Sequence, residues 1–288
     1  MQHNTMSFIQ AFAALLIGGI IMGFSPVLVR EADVGPFASA FWRVAFALPL
    51  LYLWASFETA TSTWRVKFSN PAILAGFCFA GDLVFWHLAI LNTTMANATF
   101  MVCLAPVWVA CFSGIGLGEK PDRNAIIGLF VCLLGLALLL ISSFQIDTSR
   151  LLGDVYGLIT SLFLGSYFMV MRVGRRTLPS GQLFLSSTLV TTVCLFLVAI
   201  IMGGRLIPSS GEGWATLAAL GLFTHAGGQG LVTLALGALT AMFSSLVIFI
   251  EAVTAAFFGW LIFNEHMEPL QWLGCGFVLA GVWISRPK

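Results

Sequence analysis

Three ionisable side chains lie where a charge is costly. Arg43, Asp82 and Glu251 each interrupt a long apolar run, and a charge left facing lipid at such a depth costs several kcal/mol. Each must therefore face a partner or a wet cavity. In a cavity, Arg43 could oppose a carboxylate, and Asp82 or Glu251 an ammonium. The competing reading is that all three only hydrogen-bond helix to helix, and both readings stay open at this point.

Helical spacing adds neighbours to this set. Phe79, Asp82 and Trp86 fall on one face of their run, and His225, Gly228, Gln229 and Val232 fall on one face of theirs. Ser244, Ile248, Glu251 and Ala255 form a third stripe. Phe24, Phe79, Trp86 and Tyr167 are candidates for ring contacts with an apolar or aromatic ligand. The candidate substrate-binding residues are thus Phe24, Arg43, Phe79, Asp82, Trp86, Tyr167, His225, Gln229, Ser244 and Glu251. His87 falls off the Asp82 face and is left out. Asn97, opening its run, is expected to cap a helix.

The elements that carry these residues are membrane spans. Of 288 residues, 59% are hydrophobic and 9% charged, a balance that no soluble core could hide from water. Apolar runs of the roughly 20 residues that cross a bilayer can be marked at 8–29, 36–57, 71–91, 96–117, 124–143, 153–171, 182–203, 213–235, 241–263 and 269–285. Short connectors rich in Pro, Gly and Ser separate them. With the N-terminus inside, nine of the thirteen Lys and Arg fall on the cytoplasmic side and three on the other, with Arg43 inside a span. Positive residues are retained in the cytoplasm, so both termini are expected there. The first run lacks a basic leader and a small-residue cleavage site, so it is expected to stay as a span.

Several function classes fit poorly. The net charge of +1 and the dispersed ionisable residues leave no basic face for nucleic acid. The motifs of a phosphate-cradling loop, a His-Glu-x-x-His zinc pair and a nucleophile elbow are missing from the sequence. No enzyme activity, cofactor or metal is expected. The six cysteines all lie in apolar stretches without paired spacing and read as free, buried small hydrophobes. Lipid is the main expected partner, and the oligomeric state is not legible.

An internal repeat organises the chain. Cys103 to Lys120 superimposes on Phe249 to His266 at an offset of 146, and the same register pairs Ala80-Gly81 with Ala226-Gly227, Thr94 with Thr240, Glu119 with Glu265, Gly128 with Gly274 and Gly135 with Gly281. A weaker echo at offset 142 pairs Gly23 with Gly165 and Arg30 with Arg172. Five spans per half make corresponding helices cross in opposite directions, giving halves 1–146 and 147–288 that form an inverted repeat. Such a pair supports alternating access around a midplane site. Gly23-Phe24-Ser25-Pro26 and Gly165-Ser166-Tyr167-Phe168 are the expected rocking or gating elements.

The layout of five plus five helices, with Ala105-Pro106-Val107 and Gly118-Glu119 in the first half and Ile250-Glu251-Ala252-Val253 and Asn264-Glu265 in the second, resembles the EamA-type repeats of the drug/metabolite transporter superfamily. Where the family pattern often reads Glu-Pro-Val, Ala252 replaces the proline, which removes the reason for a kink there. Within the superfamily the sequence is most similar to the YddG-type aromatic amino acid exporters. The resemblance implies an all-α inner-membrane protein of ten helices that exports aromatic amino acids and related small amphipathic metabolites. A broad exporter of drugs or cationic metabolites is the alternative, and a non-transporting scaffold or enzyme subunit the alternative of another class.

Overall fold

The computed structural model describes residues 6–59, 65–141, 143 and 147–287. The expected position of both termini turns in part on residues 1–5 and 288, and the boundary at 146/147 abuts 144–146; these lie outside the described residues. The helices are α1 (Phe8–Met22), α2 (Ser25–Arg30), α3 (Pro36–Ala45), α4 (Leu48–Thr59), α5 (Asn70–Asn92), α6 (Met95–Val102), α7 (Ala105–Gly116) and α8 (Arg123–Leu140). After a 3₁₀ turn at Thr148–Arg150 come α9 (Leu151–Arg175), α10 (Ser180–Met202) and α11 (Gly211–Ala219). A π-helix over Leu220–Gln229 leads into α12 (Gly230–Ala235), followed by α13 (Ala241–Ser245), α14 (Val247–Phe263) and α15 (Pro269–Ile284).

Among the described residues every element is helical, and the chain is a membrane protein. Among the described residues nine helical stretches are long and apolar enough to cross a bilayer, and α15, at 16 residues, is a shorter apolar helix.

Proline accounts for three interruptions. Its missing N–H deprives the carbonyl four residues earlier of a partner, and α1, α3 and α6 end at Met22, Ala45 and Val102, four residues before Pro26, Pro49 and Pro106. The same rule explains two unbroken places. α14 runs through Ala252, the counterpart of Pro106, and α9 runs through Gly165, the counterpart of Gly23. Of the two expected gating elements, then, only the one with a proline is broken. The ninth span breaks instead at Leu246, after Ser244-Ser245, where the Ser245 hydroxyl donates to the Met242 carbonyl at 2.7 Å. Such back-bonding competes with the helix ladder.

Packing joins the two parts of the chain along α5 with α9 and along α8 with α15. In the second pair the repeat glycines face one another. A Cβ at Gly135 would fall 2.7 Å from the Gly274 carbonyl, and one at Gly281 would fall 2.7 Å from the Gly128 carbonyl. Exchanging the halves at offset 146 maps each contact onto the other.

Two local expectations are corrected. All six cysteines are free, but Cys111 is exposed and Cys194 partly so, because an apolar run presents one face outward and a small thiol sits there as readily as within. Asn97 does not cap its helix. Thr94 does, accepting from the Asn97 N–H at 3.1 Å, while the Asn97 amide donates to Asp154 Oδ1 at 3.1 Å.

Candidate functional site

The helix break at Pro49 places Arg43. It lies in the last turn of α3 and is 8% exposed. Gly221 of the π-helix lets that turn approach closely, since a Cβ there would lie 2.9 Å from the Arg43 carbonyl. Asp82, in the middle of α5, is 7% exposed, and Glu251 lies in the second turn of α14, partly buried.

These three residues form one electrostatic group. The Arg43 guanidinium interacts with both Glu251 and Asp82, although neither carboxylate comes within 4.0 Å of it. Arg43 Nε and Glu251 Oε2 are buried without a hydrogen-bond partner. Leaving a buried polar atom unpaired is costly, and two atoms of this group stand so. One cation within electrostatic reach of two anions suits a ligand that carries both signs.

A ring wall adjoins it. Phe79 of α5 lies 4.9 Å from the Tyr167 ring of α9 and 5.3 Å from the His225 ring, centroid to centroid. Phe184 of α10 lies 5.1 Å from His225 on another side. Gln229 Nε2 donates to the Tyr167 hydroxyl at 3.2 Å, and the Thr188 hydroxyl lies 3.3 Å from His225 Nε2. His225 Nδ1 has no partner. Asp82 lies within electrostatic reach of Tyr167, which connects the wall to the charges.

Of the ten sequence candidates, Arg43, Asp82 and Glu251 come together by charge, and Phe79, Tyr167, His225 and Gln229 by contact. The remaining three are Ser244, Trp86 and Phe24. Ser244 is fully buried with its hydroxyl unpaired, and Trp86 is partly exposed, perpendicular to the His87 ring at 5.0 Å. Phe24 makes edge contacts with Phe223 and Phe258 at 6.4 and 5.0 Å. Sequence reasoning passed over His87, Thr188 and Phe184. His87 is buried, its Nδ1 2.7 Å from the Leu83 carbonyl and its Nε2 unpaired, and it too lies within electrostatic reach of Arg43. An intramembrane histidine was the available signal. The π-helix changes the spacing of His225 and Gln229 from the regular period on which their shared face was read, yet both reach Tyr167 or its ring neighbours.

Outside the spans, the connector carboxylate of Asp33 is held below its usual range by hydrogen bonds from the Ser209 hydroxyl at 2.7 Å and the Ser209 N–H at 2.9 Å. Among the described residues no three His, Cys, Asp or Glu cluster as metal ligands.

The sequence model of the EamA-like transporter family matches this chain twice, over residues 9–141 and 151–286. The chain belongs to the EamA-like transporter family. This EamA-like protein is 27% identical over 267 residues to the pseudopaline exporter CntI of Pseudomonas aeruginosa, covering 91% of this chain and 90% of that protein. It is 22% identical over 280 residues to a Bacillus subtilis protein described as the uncharacterized transporter YxxF, covering 96% and 89%. One solved crystal structure superposes with a TM-score of 0.84 over 97% of this chain and 98% of its own at 15% identity, a likeness of fold alone. The EamA-like protein is thus a multi-pass membrane transporter by family.

Proposed function

We propose that this EamA-like protein is a secondary transporter that exports small amphipathic zwitterions across a bacterial inner membrane, working by alternating access between two inverted five-helix halves. The observation that carries the reading is Arg43, its Nε buried without a hydrogen-bond partner and its charge within electrostatic reach of Asp82 and Glu251, together with the ring wall of Phe79, Tyr167 and His225. A substrate carboxylate meets Arg43, its ammonium meets Asp82 or Glu251, and an apolar or aromatic side chain lies against the rings. Aromatic amino acids satisfy all three demands and are the finer reading, in line with the resemblance to YddG-type exporters.

The repeat supports the mechanism. A Cβ at Gly23 would fall 2.9 Å from the Glu251 carbonyl, and one at Gly165 would fall 2.9 Å from the Ala105 carbonyl. Those two contacts are exchanged by the 142 and 146 registers, as are the glycine contacts of α8 with α15. Two such halves can trade conformations and open the site to each side in turn.

The relative described as a pseudopaline exporter favours export over uptake and a second substrate reading, a larger polar metabolite of that kind. Flux of labelled tryptophan, threonine and a lipophilic cation in vesicles containing the purified protein, with and without a pH gradient, tests the proposal. Tryptophan flux above threonine and above the cation is expected. Cation flux without tryptophan flux points to a drug-type exporter, and no flux of any of the three removes the amino acid reading.

A further inference from the structure

Two ion pairs each tie one half of the chain to the other. Arg30 Nη1 donates to Glu265 Oε1 at 3.0 Å, and Arg172 Nε donates to Glu119 Oε1 at 2.7 Å. The registers that relate the halves relate these pairs as well, since Arg172 stands 142 residues after Arg30 and Glu265 stands 146 after Glu119. Arg30 ends the first span and Glu265 follows the ninth, whereas Glu119 follows the fourth and Arg172 lies in the last turn of the sixth. In a bundle of alternating spans the two pairs therefore lie on opposite faces.

The backbone presents both glutamates in the same way. Gly118 and Asn264, directly before them, are left-handed with φ of 70° and 53°. The Glu119 N–H then reaches back to the Ser113 carbonyl at 3.2 Å, and the Glu265 N–H to the Gly259 carbonyl at 3.4 Å. This six-residue closure ends the helix and turns the following side chain back across its end.

The two pairs are unequally made. On the Glu119 face the side chains are 18% and 15% exposed. Glu119 Oε1 also receives Arg176 Nη2 at 3.4 Å, and Oε2 receives the Ala241 N–H at the start of α13 at 2.9 Å. Arg172 Nη1 donates to the Leu236 and Gly237 carbonyls after α12, at 2.8 and 3.2 Å. An anion at a helix start and a cation at a helix end are both well placed for the helix dipoles. On the Glu265 face the side chains are 60% and 56% exposed, with a 3.0 Å contact and Arg30 over the Phe263 ring at 4.2 Å. A shallow cavity of about 240 Å³ beside Glu265 is lined by Trp260, Leu261, Asn264 and His266.

We propose that the two ion pairs are alternating latches, of which one is completed while the other loosens, and that Glu119–Arg172 is the latch closed in this structure. The proposal rests on the alternating-access reading. Exchange of the halves names the contacts that complete the second latch. Glu265 Oε2 takes the Met95 N–H at the start of α6, the counterpart of Ala241, and Arg30 takes the Ile90 and Leu91 carbonyls at the end of α5, the counterparts of Leu236 and Gly237. Those contacts are unmade here, and they close the Glu265 face when the Glu119 face opens.

Hydrogen exchange on the full-length protein in lipid nanodiscs reads both faces at once. Glu119→Gln keeps the shape and removes the charge. It is expected to raise amide exchange over 236–241 several-fold and, in the same sample, to lower it over 90–95. A rise at 236–241 with 90–95 unchanged or also raised would make the pair a local staple and overturn the proposal, as would no change at either place. Should Glu119→Gln give no monodisperse protein, Glu265→Gln carries the test from the other face. By disfavouring the opposite closed state it should lower exchange over 236–241 below wild type, and an unchanged value there overturns the latch. The readout needs no substrate. Reciprocal exchange in a protein that shows no flux would leave the latch standing and remove the transport reading, whereas flux without reciprocity would do the reverse.

Discussion

Replacing Arg43 by leucine should expose how the buried charges are balanced. Its guanidinium lies beyond 4.0 Å from both Asp82 and Glu251 yet interacts with each. At an effective dielectric of 20 a pair at 4 Å is worth about 4 kcal/mol, so each attraction is smaller than that. Removing the cation leaves two carboxylates buried without a counter-charge, and breaking buried pairs in this way costs about 3 kcal/mol. Arg43→Leu is therefore expected to lose about 3 kcal/mol in a reversible unfolding measurement in mixed micelles. Part of that loss should return when Glu251→Gln is added, since the second change removes one of the stranded anions. The double-mutant cycle should give a coupling of at least about 1 kcal/mol, against the roughly 0.5 kcal/mol scatter of independent sites. Transport divides the roles further. If the cation meets a substrate carboxylate, Arg43→Leu with Glu251→Gln recovers stability but not flux of amino acids. Additive effects on stability would show that the guanidinium and the Glu251 carboxylate do not balance one another, and would refute the three-charge site.

Phe79→Ala should weaken aromatic substrates about two- to tenfold more than aliphatic ones in a competition assay, the range of a single aromatic pair; equal loss for both classes removes Phe79 from the substrate path. Gly135→Val should lower the thermal midpoint through an overpacking cost of about 1 to 3 kcal/mol, because even its first added carbon would lie 2.7 Å from the Gly274 carbonyl; an unchanged midpoint would mean that α8 and α15 are not tightly joined. Asp33 has a folded pKa below its unfolded one, so its bonds to Ser209 stabilise the fold above about pH 4, and that contribution is lost as pH falls through the lower, folded value. Asp33→Asn should accordingly flatten the acid limb of a thermal midpoint against pH profile, and an unaltered limb would show that the connector adds nothing.

Much of the site was legible because its residues violate the composition around them. A charge inside a span has few tolerable positions, so Arg43, Asp82 and Glu251 could be read as facing inward before any coordinates. Glycines at matched offsets were legible for a related reason, since a helix crossing that brings two backbones together excludes a Cβ from both sides. Other features left no such mark. Exposure of Cys111 turns on which apolar face meets lipid, and apolar residues look alike on both. The π-helix around His225 and the break at Leu246 depend on local hydrogen-bond competition rather than on hydropathy. Thr188 and Phe184 belong to a helix whose apolar residues run all round it, and only tertiary packing against His225 singles them out.

The Arg30–Glu265 and Arg172–Glu119 pairs are unequally buried, and the stretches that carry them differ in their prolines. Pro26 divides the first span at Gly23-Phe24, while its counterpart α9 continues unbroken through Gly165. Pro106 divides the fourth span after Val102, while the ninth, with Ala252 in that place, breaks one turn earlier, after Ser245. Arg30 ends a six-residue helix that follows a break, and Arg172 lies within a 25-residue helix that has none. A side chain on the continuous helix loses less freedom when it forms an ion pair, because its backbone is already fixed. The less exposed ion pair accordingly has its arginine on the unbroken helix, and the more exposed one has its arginine on the divided helix.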